Sequence, residues 1–256
     1  MADGHCVLAF VWPCRGSKAK YAQARADAMR AAPRLHAALC ALRAASCDVT
    51  VVAHSLGARV ALQAVLLEHA PARCMAGTAA LPAPPLVQAL VLIGAAVDAA
   101  SLGPGREFDR SLLSVNRLVV LYSRHDDILR SSFPLGEALS GAGVGKQALG
   151  LVGAIGLAGI FSAAVDVRVD ARVDARIGDG GSDARLSEAS SGIANVDVSA
   201  SVGAHGPNVW LLSPPVMAAI APACSGTRSL SDLDVSSASM SPVSYTHLTL
   251  PTILLV

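Results

Sequence analysis

Val49-Thr50-Val51-Val52-Ala53-His54-Ser55-Leu56-Gly57-Ala58-Arg59-Val60-Ala61-Leu62 is the stretch whose reading decides the fold. It opens as a β-branched apolar run, the pattern of a buried strand. It continues as an Ala/Leu-rich run in which Leu62, Val65 and Leu66 recur at helical spacing. The residues between the two patterns are too few for an ordinary loop. The sequence therefore predicts a strand that turns sharply into a helix with Ser55 at the apex, the geometry of a nucleophile elbow. Such a corner strains the serine backbone and demands small residues two positions to either side. Ala53 and Gly57 meet that demand. The corner lifts Ser55 to the carboxyl end of its strand, where the amides and positive dipole end of the following helix point. A serine in a tight turn without chemistry is the plain alternative.

Upstream, residues 6–12 form another apolar run that reads as a buried strand, stopped by Pro13, Arg15 and Gly16. From 17 to 46 the spacing is helical, with Leu35, Leu39 and Leu42 on one face. Pro33 opens a second helix there or kinks a single one. Downstream, a helix covers 58–69, and Pro71, Pro82, Pro84 and Pro85 mark a loop. Apolar strands follow at 90–94 and 118–122, then a short β-like stretch at 195–201 and a helix at 210–220. Apolar strands alternating with helices or loops predict an α/β fold with a mostly parallel, doubly wound sheet.

Several stretches lie outside that alternation. Residues 148–165 are uncharged and Gly-rich. Their length is at the lower edge of a membrane span, but the run is weakly hydrophobic and lacks basic or aromatic flanks. It reads as a loop and buried helix at the edge of the domain, and membrane association is not expected. A four-residue repeat (Val165-Asp166-Val167-Arg168 and its two successors) and a Gly/Ser/Asp-rich stretch at 178–192 then suggest a low-complexity insertion, preferred over an extra strand. The resulting organisation is a core at 1–153, an insertion at 154–194, the end of the core at 195–220 and a disordered tail at 221–256. Residues 244–256 resemble translated adaptor or vector sequence and are set aside from fold reasoning.

Composition narrows the function. The chain has 256 residues, 53% of them hydrophobic, and a formal net charge of +1, so it lacks the basic surplus that a nucleic-acid partner requires. The six cysteines show no C-x-x-C pair and no histidine at metal-ligand spacing; they read as buried free thiols, with no metal or other cofactor expected. No basic segment precedes an apolar one near Met1, so an intracellular, cytoplasmic, reduced protein is the default. Nothing in the sequence gives the oligomeric state.

A serine hydroxyl is a weak nucleophile at neutral pH and needs a base, which in turn needs an orienting acid. In doubly wound hydrolases the chain order is Ser, acid, His. Ser55, Asp126 and His205 keep that order, each just beyond the carboxyl end of a strand. Asp126, followed by Asp127-Ile128-Leu129, fits an acid–x–apolar loop whose apolar residue anchors the turn, and the adjacent Asp127 is the alternate acid. His54 reads as a packing residue and His125 as part of the acid loop. Leu56 N–H, just after the nucleophile, supplies one oxyanion donor. No stretch of the sequence offers the second.

These pieces resemble uncharacterised α/β-hydrolases that carry W-P-S-x-G, A-H-S-[ML]-G, Y-S-x-x-D-x-x-L and a D-V-S…H-[SG] ending. The counterparts are Phe10-Val11-Trp12-Pro13-Cys14 with Gly16 and Tyr21, residues 53–57, residues 122–129, Ala148-Leu149-Gly150, and Asp197-Val198-Ser199 with His205-Gly206. The resemblance covers about residues 6–150 and 195–218, in collinear order. It implies a serine esterase or lipase acting on small uncharged acyl esters through Ser55, His205 and Asp126, without cofactor. Family members begin with a further strand and an H-G-[YF]-N loop that supplies the second oxyanion donor, and the sequence has neither. That strand belongs between those at 6–12 and 49–53, so the sheet is expected to be incomplete at the N-terminus, with Met1 not the true start. Losing one oxyanion donor costs about 10²–10³ in rate. The alternative function is therefore a non-catalytic remnant or binding scaffold that keeps the fold without a complete oxyanion hole.

Overall fold

The computed structural model describes residues 6–13, 21–69, 84–155, 164–168, 192–224 and 252–255. Strand β1 (Leu8–Val11) is followed by helix α1 (Tyr21–Ala44), strand β2 (Thr50–His54) and helix α2 (Leu56–Leu66), which ends in a 3₁₀ turn (Leu67–His69). Then come β3 (Val87–Ile93), a 3₁₀ helix (Asp109–Ser114), β4 (Val115–Tyr122), α3 (Asp127–Leu139) and the single turn α4 (Leu149–Val152). Strands β5 (Ala164–Arg168) and β6 (Gly192–Asp197), helices α5 (Pro207–Leu211) and α6 (Pro214–Cys224), and strand β7 (Thr252–Leu255) complete the chain.

One seven-stranded sheet runs in the order β1-β7-β2-β3-β4-β6-β5. Strands β2, β3, β4, β6 and β5 pair in parallel. Alternate residues separate into two apolar layers, as a sheet buried on both faces requires. Val51, Ala53, Leu90, Leu92, Leu118 and Val120 pack toward α1 and α2. Val52, Val91, Ile93, Val119 and Leu121 pack with Trp210, Val216 and Ile220 of α5 and α6. The doubly wound α/β architecture predicted from the alternating apolar runs is the one observed.

Five points bear on the sequence reading. Helix α1 runs through the exposed Pro33 as a single helix, the second of the two readings offered for that proline. Strands β3 and β4 begin three residues early: polar side chains occupy their amino ends, where Gln88 Nε2 donates to Asp48 Oδ1 at 3.3 Å. Ala164–Arg168, placed in an insertion, pairs residue for residue with β6. Residues 192–194, also placed in the insertion, begin β6, and residues 156–163 and 169–191 lie outside the described residues.

The fourth point concerns the sheet position expected to be missing. Helix α6 extends to Cys224, and Thr252–Leu255, assigned to a disordered tail, sits between β1 and β2, antiparallel to both. Leu8 pairs with Leu255 on one side and Val51 with Leu255 on the other. Two strand edges facing one gap offer unpaired backbone groups, and a short β-prone tetrapeptide satisfies them. No helix among the described residues is long and apolar enough to cross a membrane.

The start of the uncharged run, residues 148–153, read as a domain edge, instead packs across the carboxyl ends of β3 and β4. Gly150 N–H donates to Ala95 O at 2.9 Å, and Ser123 N–H donates to Gly150 O at 3.0 Å. A Cβ at Gly150 would lie 2.1 Å from the Ala95 nitrogen, so only glycine fits between these backbones.

Candidate active site

Between Thr50 and Leu62 every residue is buried except Ser55. Ser55 has φ 54° and ψ −123°, a left-handed conformation that costs a residue with a Cβ about 1–3 kcal/mol and is sustained by its surroundings. Those surroundings grip the corner on both sides. Ser55 N–H donates to Ile93 O at 3.0 Å, and Ser55 O accepts from Ala58 N–H and Ala96 N–H, both at 3.1 Å. The hydroxyl is thereby fixed at the end of β2, over the start of α2. Leu56 is the first residue of that helix, and its amide has no intrahelical acceptor, as the oxyanion role requires.

The His205 ring bridges two of the other candidates. Its Nε2 lies 2.7 Å from Ser55 Oγ and its Nδ1 lies 2.7 Å from Asp126 Oδ2. An ionised carboxylate can only accept, so Nδ1 carries the proton and Nε2 turns its lone pair to the serine hydroxyl. Asp126 is fully buried, and its second oxygen, Oδ1, accepts Leu129 N–H at 3.0 Å as the N-cap of α3. Asp127 is exposed and begins the helix. The choice between the adjacent aspartates thus falls on Asp126. His125 is exposed and stays in the acid loop.

A family profile described as "Alpha/beta hydrolase of unknown function (DUF900)" matches residues 2–144, more than half of the 256-residue chain. The chain belongs to this α/β-hydrolase family. Neither a curated protein nor a solved structure gave a match.

Several side chains that hold the hydrolase's site together went unread in the sequence. His54 Nε2 donates to the backbone carbonyl of His205 at 2.9 Å, and the two rings stand 5.0 Å apart. Burial pushes His54 down to about 3, with the neighbouring His205 adding to the effect, so it is a neutral donor that holds the His205 backbone rather than a packing residue. Ser123 Oγ donates to Val202 O at 2.5 Å, tying the end of β4 to the loop that carries His205. Asp197 Oδ1 accepts Ser199 Oγ–H at 2.5 Å, and Ser199 Oγ in turn accepts Arg124 N–H at 2.8 Å, a second tie between the same segments. The fully buried Trp210 lies against Gly94, where an added Cβ would come within 3.1 Å of the indole. Gly94 has φ +48°, so it serves both the turn and the close approach.

Behind the corner lies a charged cluster that no motif announced. Arg59 and Glu137 are both fully buried, with Arg59 Nη2 3.4 Å from Glu137 Oε1 and Arg59 Nη1 2.7 Å from Glu107 Oε1. Tyr21 donates its hydroxyl to Glu137 at 3.0 Å; burial and the adjacent carboxylate raise its pKa, so it stays neutral. Leu56, which follows the serine, belongs to a buried apolar cluster with Ala96, Leu129, Phe133, Ala148 and Leu151, and Tyr21 packs against it.

The four cysteines among the described residues are free, and none is fully buried: Cys6 and Cys47 are exposed, Cys40 and Cys224 half-buried. The expectation of no histidine at metal-ligand spacing is overturned as well. His36 and Cys40 are four residues apart on α1 and, with Glu68, bring three possible ligand atoms within 4.8 Å of one another, away from the serine site.

Proposed function

We propose that this α/β-hydrolase is a serine hydrolase that cleaves small carboxylic esters with uncharged acyl groups through an acyl-enzyme. The observation that carries the reading is the His205 imidazole held at 2.7 Å from both Ser55 Oγ and Asp126 Oδ2. In the first half-reaction Ser55 Oγ attacks the acyl carbon while His205 Nε2 takes the hydroxyl proton. Negative charge gathers on the former carbonyl oxygen, toward Leu56 N–H. The carbon–alkoxide bond then breaks as His205 returns the proton to the departing alcohol. In the second half water attacks the acyl-serine with His205 again as base, releasing the carboxylic acid and restoring Ser55. Asp126 holds the Nδ1–H tautomer throughout and offsets the charge of the transient imidazolium. The preference for an uncharged acyl group rests on the resemblance carried by residues 53–57, 122–129 and 205–206.

The test is labelling of the purified 256-residue chain by a fluorophosphonate. Stoichiometric modification at Ser55, absent in Ser55→Ala, is the expected result, together with hydrolysis of a p-nitrophenyl ester. A folded chain that takes no label sinks the proposal and favours the binding-scaffold reading.

A further inference from the structure

We propose that His36, Cys40 and Glu68 form a zinc site that fastens α1 to the carboxyl end of α2. His36 and Cys40 lie four residues apart, so they project from one face of α1. Glu68 comes from the 3₁₀ turn that ends α2. The donor atoms form a triangle: His36 Nε2 to Cys40 Sγ 3.5 Å, Cys40 Sγ to Glu68 Oε2 3.8 Å, and His36 Nε2 to Glu68 Oε2 3.9 Å. Tetrahedral zinc, with bonds of about 2.3 Å to sulfur and 2.0–2.2 Å to nitrogen and oxygen, sets donor–donor separations of about 3.3–3.6 Å. A contraction of about half an ångström or less per edge closes the triangle on the ion, and a water completes the fourth position.

Two further contacts orient these donors as they are oriented in zinc proteins. His36 Nδ1 lies 2.9 Å from Ala64 O, which can only accept, so Nδ1 carries the proton and Nε2 presents its lone pair to the triangle. Arg43 Nη2 lies 3.0 Å from Glu68 Oε1, which leaves Oε2 turned toward the other two donors for single-oxygen ligation. A thiolate, an imidazole and one carboxylate form a set too soft for magnesium or calcium and well suited to zinc. The His36 and Glu68 side chains are 13% and 12% exposed, so the donors are shielded from bulk water but within reach of an entering ion. Binding converts the Cys40 thiol to a zinc thiolate and releases one proton per ion, with no redox change.

The test uses the full chain, stripped with a chelator and then titrated with cobalt(II) or zinc(II) chloride. The expected result is one cobalt per chain with a thiolate-to-cobalt charge-transfer band in the near ultraviolet, abolished by zinc. Zinc at a hundredfold excess over its Kd raises the Tm by about 5–10 °C. Cys40→Ser removes the band, whereas Cys47→Ser, altering an exposed thiol elsewhere, keeps it. Arg43→Ala weakens affinity by at least about 10-fold, because it releases the ligand carboxylate. Circular dichroism confirms that each variant is folded. Failure of the folded wild-type chain to bind either ion stoichiometrically overturns the proposal, as does a band that survives Cys40→Ser.

Discussion

Replacing Asp126 by Asn separates the chemical role of this side chain from its structural one. The carboxylate has two tasks, one per oxygen: Oδ1 accepts Leu129 N–H at 3.0 Å and Oδ2 accepts His205 Nδ1–H at 2.7 Å. In Asn the helix cap claims the single remaining oxygen, because the Leu129 donor needs an acceptor. The amide NH₂ group then faces His205 Nδ1 and donates to it. That moves the ring proton to Nε2, where it points at Ser55 Oγ, and the imidazole can no longer receive the serine proton. The loss expected of such a wrong tautomer is about 10⁴ in rate, equivalent to about 5.5 kcal/mol at 1.36 kcal/mol per tenfold. Stability changes by only about 1 kcal/mol, since Asn caps a helix as well as Asp does. The assay is the second-order rate of fluorophosphonate labelling and of p-nitrophenyl ester hydrolysis, each normalised to folded protein measured by urea unfolding. Asp127→Asn, on the exposed neighbour, is expected to stay within about twofold. The reasoning is refuted if Asp126→Asn retains more than a tenth of the wild-type rate while folded, or if Asp127→Asn has the larger effect.

Three further outcomes follow from the same contacts. Folded His54 has its pKa pushed down to about 3, whereas in the unfolded chain it takes a proton near 6.5, so its contribution to stability is intact above that pH and is lost as pH falls from about 6.5 toward 3; His54→Gln keeps an N–H donor for the His205 carbonyl and should flatten the acid slope by up to about 1.4 kcal/mol per pH unit in urea titrations at pH 4 to 7, and an unchanged slope contradicts the assignment. Glu137→Ala leaves the fully buried Arg59 with only the partly exposed Glu107 and should cost about 3–5 kcal/mol, a Tm drop of about 10 °C that calorimetry would detect. Gly150→Ala forces a methyl carbon to 2.1 Å from the Ala95 nitrogen; backbone must shift, and we expect a loss of about 3 kcal/mol or more in chemical denaturation, with a wild-type melting curve as the contrary result.

The corner at Ser55 was legible because its requirements are local: small residues at 53 and 57, a β-branched run before and a helical run after. Asp126 and His205 were legible through chain order, since each follows a parallel strand and parallel strands end on one edge. What escaped depends on contacts across long stretches of chain. Nothing near His54 indicates that its ring will meet a backbone carbonyl 151 residues away. The glycines of the 148–165 run resemble those of a loose connection, and only the neighbouring backbone at Ala95 explains Gly150. The amino ends of β3 and β4 were missed because Gln88, Asn116 and Arg117 break an apolar pattern that the ladder itself does not require. His36 and Cys40 had a recognisable spacing on one helix, but their third partner arrives from the end of another.

The loop carrying His205 is tethered at three points, to the end of β4 through Ser123, to β2 through His54 and to Gly94 through Trp210 in the following helix. A tripod of this kind cannot fray one leg at a time without dragging the imidazole off both neighbours. Local opening of the loop therefore has to release contacts to three separate elements rather than one. Segments without such ties, rather than this loop, are where opening is expected first.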